Sequence, residues 1–258
     1  VVTACFNSDL WMGPHLWWDE LAKRGFQLYF VFNPAIKRSK REAEKKDTDY
    51  SVMEARAYKA QKGNEPDLSI VLDYLRIRGN TLKELRAQAR TFYDSFFTTD
   101  EGYLVWRGNT GLPKWFIEDV GAQDFLVQDF EEEFGKGCVV PLGTTHVSKQ
   151  DGFTGLPAVQ LVYEQRRIMI PSNTAHKKTK EFTEILVDEL CNYGNGLSKH
   201  DDVAMCELLS EQAIAHLYRR PIKPVDTTKF GIPRRGQRNF NRILKPSERR
   251  TRGVAFGR

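Results

Sequence analysis

The sequence has few cysteines, and none of them belongs to a metal-binding or disulfide pattern. The four cysteines show neither a CxxC pair nor a paired histidine spacing, which argues against a zinc knuckle and a disulfide framework. No apolar run approaches the roughly 20 residues of a membrane-spanning helix, and the amino terminus does not resemble a signal peptide. We therefore expect reduced cysteines, no membrane partner and a cytoplasmic location.

Glycine-rich phosphate loops are also missing. Neither GxxxxGK[ST] nor GxGxxG occurs in the 258 residues, so a complete ATP-driven motor is not contained in this sequence. The chain begins with Val, and we expect it to be a fragment of a longer protein. With 40% hydrophobic and 12% aromatic residues, it can bury one full core, which favours a single α/β domain with appendages.

Acidic residues are scarce after residue 218, where the chain becomes basic and rich in proline and glycine. Residues 219 to 258 contain only Asp226 and Glu248 as acids. Such a segment buries too little apolar surface to fold alone, so we predict an extended basic tail. A polyphosphate such as DNA is its natural partner, and a solvated tail without a specific ligand is the alternative.

Hydrophobic periodicity predicts three strands that are followed by alternating strands and helices. The runs that begin near Gln27, Tyr50 and Leu68 predict three antiparallel strands, and a helix is predicted to begin at Thr81. The segments KWFIED, GCVVPL and RRIMIP predict further strands, with helices between and after them. We expect an α/β domain over residues 27 to 218, with a mixed sheet of five to six strands flanked by helices.

Carboxylates stand at the ends of two of these predicted elements. Glu118 and Asp119 close the strand KWFIED, and Asp201 and Asp202 open the last long helix. Neighbouring strand residues point to opposite faces, so only one of Glu118 and Asp119 can face a given site. An aspartate at a helix start can also be merely an N-cap. Carboxylates in such places suit Mg²⁺, and a pair of such ions can promote phosphodiester hydrolysis.

Five short motifs follow one another in a recognisable order. They are FVFNPA, DTDYSV after a charged loop, LDYLRIRG, IEDVGAQDFL, and a final segment that runs from IPSNTAHKKTKEFTEILVDEL to KHDDVAMC. Over roughly residues 27 to 215 this order resembles the C-terminal nuclease domain of tailed-phage terminase large subunits, the DNA-packaging motors. The resemblance implies an RNase H-like fold, shared with Holliday-junction resolvases, in which three acids hold two Mg²⁺ or Mn²⁺ ions and cut double-stranded DNA.

The resemblance assigns the later two acids by position. The middle acid falls on Glu118, with Asp119 as the alternative, and the last acid falls on Asp201, with Asp202 adjacent. These residues are therefore expected to be catalytic metal ligands.

The first acid of the resemblance falls on Asn33, which departs from the family pattern. An asparagine keeps the size and one carbonyl oxygen of an aspartate but loses its charge, so it would bind a metal ion more weakly. An inactivating substitution is one explanation. Natural divergence is the other, and in that case Asp49 or Asp47 would supply the missing charge. A strand-end residue that caps a turn before Pro34 remains the plain structural reading.

Basic residues around these acids and in the tail are expected to contact DNA phosphates. They are Lys149, Lys177, Lys178, His200, Arg234 and Arg235. His200 could instead orient Asp201, and solvated positions without a specific ligand are the alternative for the others.

The resemblance implies a function in viral genome packaging. The domain would be a metal-dependent endonuclease that cuts concatemeric double-stranded DNA when packaging begins and ends, in the host cell cytoplasm during virus assembly. Residues 1 to 26 would lead from an upstream ATPase domain, and a portal protein and a small terminase subunit would be partners. Two alternatives stay open, namely a non-catalytic module that docks on DNA or portal, and a resolvase-like recombination nuclease acting on branched DNA.

Overall fold

The computed structural model describes a large part of the chain between residues 20 and 218. The described residues are 20–35, 49–60, 67–78, 81–97, 113–119, 124–145, 151, 155–170, 177–192 and 200–218, with 124, 177–180 and 218 described by their backbone alone. The predicted basic tail and residues 1 to 19 of the predicted linker lie outside these ranges. No helix within the described ranges is long and apolar enough to cross a membrane.

Six strands and five helices, besides a helical turn at residues 20–23, occur in the described residues. In chain order they are β1 (Gln27–Asn33), β2 (Ser51–Lys59), β3 (Leu68–Ile77), α1 (Leu82–Asp94), β4 (Trp115–Asp119), α2 (Asp124–Phe134), β5 (Val139–Gly143), α3 (Leu156–Glu164), β6 (Ile168–Met169), α4 (Lys177–Asn192) and α5 (Asp202–Tyr218).

The six strands form one mixed sheet in the order β5-β4-β1-β2-β3-β6. β2 pairs antiparallel with β1 and β3, whereas β4 is parallel to β1, β5 to β4 and β6 to β3. β2 therefore runs opposite to the other five strands. The prediction of an α/β domain with three antiparallel strands followed by parallel strands is confirmed.

Both faces of the sheet are buried, because its central strands carry buried side chains in nearly every position. Along β1, Phe30 and Phe32 join one core cluster, whereas Tyr29 and Val31 join the other. Helices α1 and α2 pack on the first face, and α3, α4 and α5 pack on the second. Because side chains alternate along a strand, the sheet contributes residues to two separate cores.

Helix α1 shows how local sequence signals set an element. Thr81 and Glu84 form a reciprocal capping box, which satisfies backbone N–H groups that the first turn leaves without partners. Leu85, Ala89 and Phe92 recur at helical spacing and are buried against the first face of the sheet. The helix predicted to begin at Thr81 is therefore confirmed.

Strand direction brings several strand ends together. Because β2 alone runs in reverse, the carboxyl ends of β1, β3, β4 and β5 and the amino end of β2 lie at the same end of the sheet. We call this the carboxyl end of the sheet. Helix α5 also begins there, since Asn33 at the end of β1 contacts Asp202. Ligands of open α/β sheets generally bind outside the carboxyl ends of the strands, so a functional site is expected at this end.

Candidate functional site

Asn33 and Glu118 occupy adjacent positions at the carboxyl end of the sheet. β1 and β4 pair in parallel up to Phe32 and Ile117, and Asn33 and Glu118 are the next residues of the two strands. Phe32 and Ile117 point into the first core, so alternation directs Asn33 and Glu118 to the face that carries α5. Both side chains are buried. Asp119, one residue further, is directed to the opposite face.

Glu118 is held in place by a neighbour from the next strand. The hydroxyl of Thr144, just beyond β5, donates a short hydrogen bond to Glu118 Oε1. Thr144 is itself buried, so this carboxylate has a fixed position beneath the surface of the site.

Asp202, the first residue of α5, is held by two strands. The backbone N–H of Tyr50, which precedes β2, donates to Asp202 Oδ2 over 2.9 Å. The Asn33 side chain donates its Nδ2–H to the backbone carbonyl of Asp202 over 3.1 Å. The start of α5 is therefore tied to β1 through its main chain and to β2 through its carboxylate.

Asp49, His200 and Asp202 form a compact group of possible metal ligands. One ligand atom from each residue lies within 4.8 Å of the other two. His200 Nδ1 is 3.8 Å from Asp202 Oδ2, which is too long for a hydrogen bond but close enough to share an ion. Among the residues that the structure describes, this is the group in which three His, Cys, Asp or Glu side chains come together in this way.

The environment of Asp202 favours a proton or a metal ion on its carboxylate. Burial raises the pKa of Asp202 to about 6, the hydrogen bond from the Tyr50 backbone opposes that rise, and the nearby charges of Asp49 and Asp201 add to it. A divalent cation would relieve the repulsion between these carboxylates. The group therefore has the charge and the oxygen atoms that such a cation requires.

Glu189 in α4 holds the start of α5 in place through hydrogen bonds. Its Oε2 accepts the backbone N–H groups of Val203 at 2.6 Å and Ala204 at 3.2 Å, and its Oε1 accepts from Arg76 Nη2 at 3.0 Å. Burial raises the pKa of Glu189 to about 7, against the lowering effect of these hydrogen bonds. The first turn of α5, which carries Asp202, is thus capped by a side chain from another helix.

The structure distinguishes between the paired acids that the sequence left open. Asp202 is buried in the metal-ligand group, whereas Asp201, which the resemblance preferred, is exposed and precedes the helix. Glu118 faces the α5 side, and Asp119 does not. Asp49, the residue suggested to compensate for Asn33, belongs to the group together with His200.

The other predicted site residues are not brought into this group. Lys177 and Lys178 are the first residues of α4, and only their backbone is described. Asp47, Lys149, Arg234 and Arg235 lie outside the described residues.

The sequence indicated several residues of the site only weakly or not at all. Glu189 lies at helical spacing from the buried Phe182 and Leu186. An acid on the apolar stripe of a helix is the sequence feature that could have indicated a buried, functional carboxylate. Arg76 near the carboxyl end of β3 and Arg78 just beyond it both contact Tyr50, and only the strand pairing reveals that proximity.

Comparisons of the chain with known protein families, curated proteins and solved structures found no match. The residues of the site therefore indicate which chemistry it can perform. Its acids, amide and imidazole at the carboxyl end of the sheet can hold a divalent cation, and the arginines beside them can attract an anion.

Proposed function

We propose that this chain is a divalent-metal-dependent endonuclease domain acting on double-stranded DNA. The observation that carries the proposal is the convergence of Asp49, His200 and Asp202 beside Asn33 and Glu118. Metal ions bound by carboxylates at such a place can activate water and stabilise a leaving oxygen in phosphodiester hydrolysis.

The strand order supports an RNase H-like fold for this domain. In that fold three antiparallel strands come first and two parallel strands follow on the side of the first strand. The order β3-β2-β1-β4-β5, with β2 alone reversed, has this arrangement, and β6 extends it beyond β3. In the proposed fold, acids stand at the ends of β1 and β4 and on the last helix. In this chain those positions hold Asn33, Glu118 and Asp202, with an amide in place of the first acid.

The residues present fit a divalent cation. Asp49, Asp202 and His200 would hold one Mg²⁺ or Mn²⁺ ion, and Glu118 with Asn33 would border a second position. Bound there, the ions supply Lewis-acid activation of water and neutralise charge on the scissile phosphate. Oxygen ligands suit Mg²⁺ and Mn²⁺, and the pKa of Asp202 near 6 makes ion binding stronger as the pH rises.

The chain's own side chains have distinct duties in this proposal. Asp202 presents its carboxylate in a fixed direction because Tyr50 donates to it. Glu118 stays oriented by Thr144, and Asn33 fixes the backbone at the start of α5. Asn33 supplies no negative charge, so the site as it stands would bind its ions more weakly than one with an aspartate there.

The biological setting in the proposal is the cutting of concatemeric DNA during viral genome packaging. The order of the five motifs supports this setting, together with the partners that it implies: an upstream ATPase domain, a portal protein and a small terminase subunit. A cleavage experiment distinguishes the packaging nuclease from the two alternatives, a DNA or portal docking module and a resolvase-like nuclease.

The test is cleavage of supercoiled plasmid in Mn²⁺ by the Asn33→Asp protein. We expect nicked and linear products that disappear when Asp202→Asn is added to that protein. Cleavage of linear duplex and plasmid supports the proposed nuclease, whereas cleavage confined to synthetic four-way junctions favours the resolvase alternative. DNA binding without cleavage of any substrate would contradict a nuclease and favour the docking module.

A further inference from the structure

The carboxyl end of β3 carries two arginines beside the candidate metal site. Arg76 lies in β3 and Arg78 directly follows that strand, and both contact the Tyr50 ring. The Cζ atom of Arg76 lies 3.6 Å from the ring centroid and that of Arg78 lies 4.2 Å from it. The His200 ring meets the same tyrosine edge-on, with 5.1 Å between centroids. Two guanidinium groups and one imidazole therefore contact the same tyrosine ring.

The two arginines are placed differently. Arg76 is partly buried and forms an ion pair with Glu189 at 3.0 Å, which makes it part of the support for α5. Arg78 is exposed, and among the described residues it makes no ion pair. Arg78 therefore keeps its positive charge available to an anion from outside.

The guanidinium of Arg78 is nevertheless oriented. It stacks over Tyr50, and its Nη2 lies 3.4 Å from His200 Nε2. Arginine has no acceptor atom, so in the metal-free protein Nε2 is the acceptor in this contact. A guanidinium held by an aromatic face loses less conformational freedom when it binds a phosphate, because its planar fork is already positioned.

Arg78 and Asp202 lie on opposite sides of one imidazole ring. His200 reaches the guanidinium through Nε2 and approaches the carboxylate through Nδ1. A DNA strand whose scissile phosphate lies at Asp202 must pass carboxylates that repel it, including Asp49 and Asp201. A cation at the rim of that acidic group offsets the repulsion and would hold a neighbouring phosphate.

We propose that Arg78 binds a backbone phosphate of duplex DNA next to the scissile phosphate, and that Tyr50 positions the Arg78 guanidinium for this contact. The inference rests on the proposed nuclease function for its substrate, and it names the residue that places that substrate at the metal site. Arg78 is a binding residue that touches the DNA backbone, and it reads no sequence.

The experiment measures binding of the full chain to a short fluorescein-labelled DNA duplex by anisotropy, in EDTA, over a series of salt concentrations. Arg78→Ala should weaken binding about tenfold at low salt. It should also reduce the slope of log affinity against log salt by about 1, because one phosphate contact is lost. Arg78→Lys should restore part of the slope but less of the affinity, since it keeps the charge without the planar fork.

Arg90→Ala is the matched control. Arg90 is also exposed and lies over aromatic rings, 6.0 Å from the centroids of Tyr93 and Phe134, but it belongs to α1 on the opposite face of the sheet. Its removal takes away the same charge and should leave duplex affinity and salt slope close to those of the parent.

The outcomes separate this inference from the nuclease function. An Arg78→Ala protein that is folded by circular dichroism and keeps the affinity and salt slope of the parent overturns the inference, even if the Asn33→Asp protein cuts DNA. Absence of measurable duplex binding by the parent also overturns it. A selective loss of binding in Arg78→Ala supports the inference, even if no variant cleaves DNA and the nuclease function fails.

Discussion

Asn33 is the side chain on which the chemistry of the site depends most. Its amide donates to the carbonyl of Asp202, a bond that a carboxylate cannot make. An aspartate at the same place would also add negative charge beside Glu118 and Asp202. Without a metal ion the asparagine therefore stabilises the start of α5, whereas with a metal ion an aspartate would be the better ligand.

The Asn33→Asp substitution should lower the stability of the metal-free protein and raise its affinity for metal ions. In EDTA we expect the free energy of unfolding to fall by about 1 to 3 kcal/mol, because a buried hydrogen bond is lost and a charge is added. Addition of Mn²⁺ should then raise the Tm of the variant by more than that of the parent, since a ligand that binds the folded state stabilises it. Thermal unfolding with and without Mn²⁺ measures both effects.

Asn33→Ala is the control for that comparison, because it removes the hydrogen bond without adding charge. It should be destabilised in EDTA, and Mn²⁺ should raise its Tm by no more than that of the parent, because Asp49, His200 and Asp202 are unchanged. Equal Mn²⁺-induced shifts in the parent and in Asn33→Asp would contradict the role given to residue 33.

Arg56 illustrates a different use of charge, inside the core between β2 and α5. Its guanidinium is fully buried and lies 2.6 Å from Glu54 Oε1 and 2.5 Å from Glu207 Oε1. Ser210 Oγ donates to Glu54 as well, over 2.9 Å. Burial raises the pKa of Glu54 well above its ordinary value, and Arg56 lowers it in part. The cluster therefore joins the sheet to the helix that carries Asp202.

Arg56→Met should cost about 3 to 5 kcal/mol of stability, because it leaves buried carboxylates without their cation. Urea denaturation would measure the loss. Combining Arg56→Met with Glu54→Gln and Glu207→Gln should recover much of it, since the two carboxylates closest to Arg56 are then replaced by neutral amides. A single Arg56→Met protein within about 1 kcal/mol of the parent would show that the cluster is not the link described.

Helix α5 depends on another helix for its first turn. Glu189 of α4 accepts the N–H groups of Val203 and Ala204 and pairs with Arg76. The pKa of Glu189 is raised by burial from 4.5 to about 7, and that of Asp202 from 3.8 to about 6. In the folded protein these carboxyls keep protons that the unfolded chain has already released.

The metal-free protein should therefore lose stability as the pH rises. The contribution of Glu189 is fully present below pH 4.5 and is lost as the pH passes through about 7. Its size is on the order of 3 kcal/mol, since each pKa unit corresponds to about 1.4 kcal/mol. Urea midpoints in EDTA across this range would measure the decline. Glu189→Gln should show a shallower decline, and identical pH profiles for the two proteins would contradict the assignment.

The order and type of these elements were predictable because their signals are local. Apolar runs marked β1, β2 and β3, and the Thr81 cap with a helical apolar stripe marked α1. The sequence also marked the candidate acids as residues at element ends. It did not distinguish Asp201 from Asp202, because that choice depends on the rotation of α5, which Glu189 and Asn33 set from distant parts of the chain.

Across the chain, the site is assembled from segments far apart in sequence. Asn33, Asp49, Glu118 and Asp202 meet only because β2 runs in reverse and α5 returns to the carboxyl end of the sheet. No local pattern contains the contact between Arg78 and His200, which joins β3 to the start of α5. Such long-range placement explains why the contacts of Arg78 with Tyr50 and His200 could not be predicted from the sequence.

The most direct measurement compares plasmid cleavage in Mn²⁺ by this chain and by its Asn33→Asp variant. If the site is a metal-dependent nuclease centre with an amide in place of its first acid, the variant cuts supercoiled DNA at least tenfold faster than the parent, because a metal ligand gains its charge. Equal cleavage by both proteins would contradict the role of residue 33. Absence of cleavage by both would contradict the nuclease function itself.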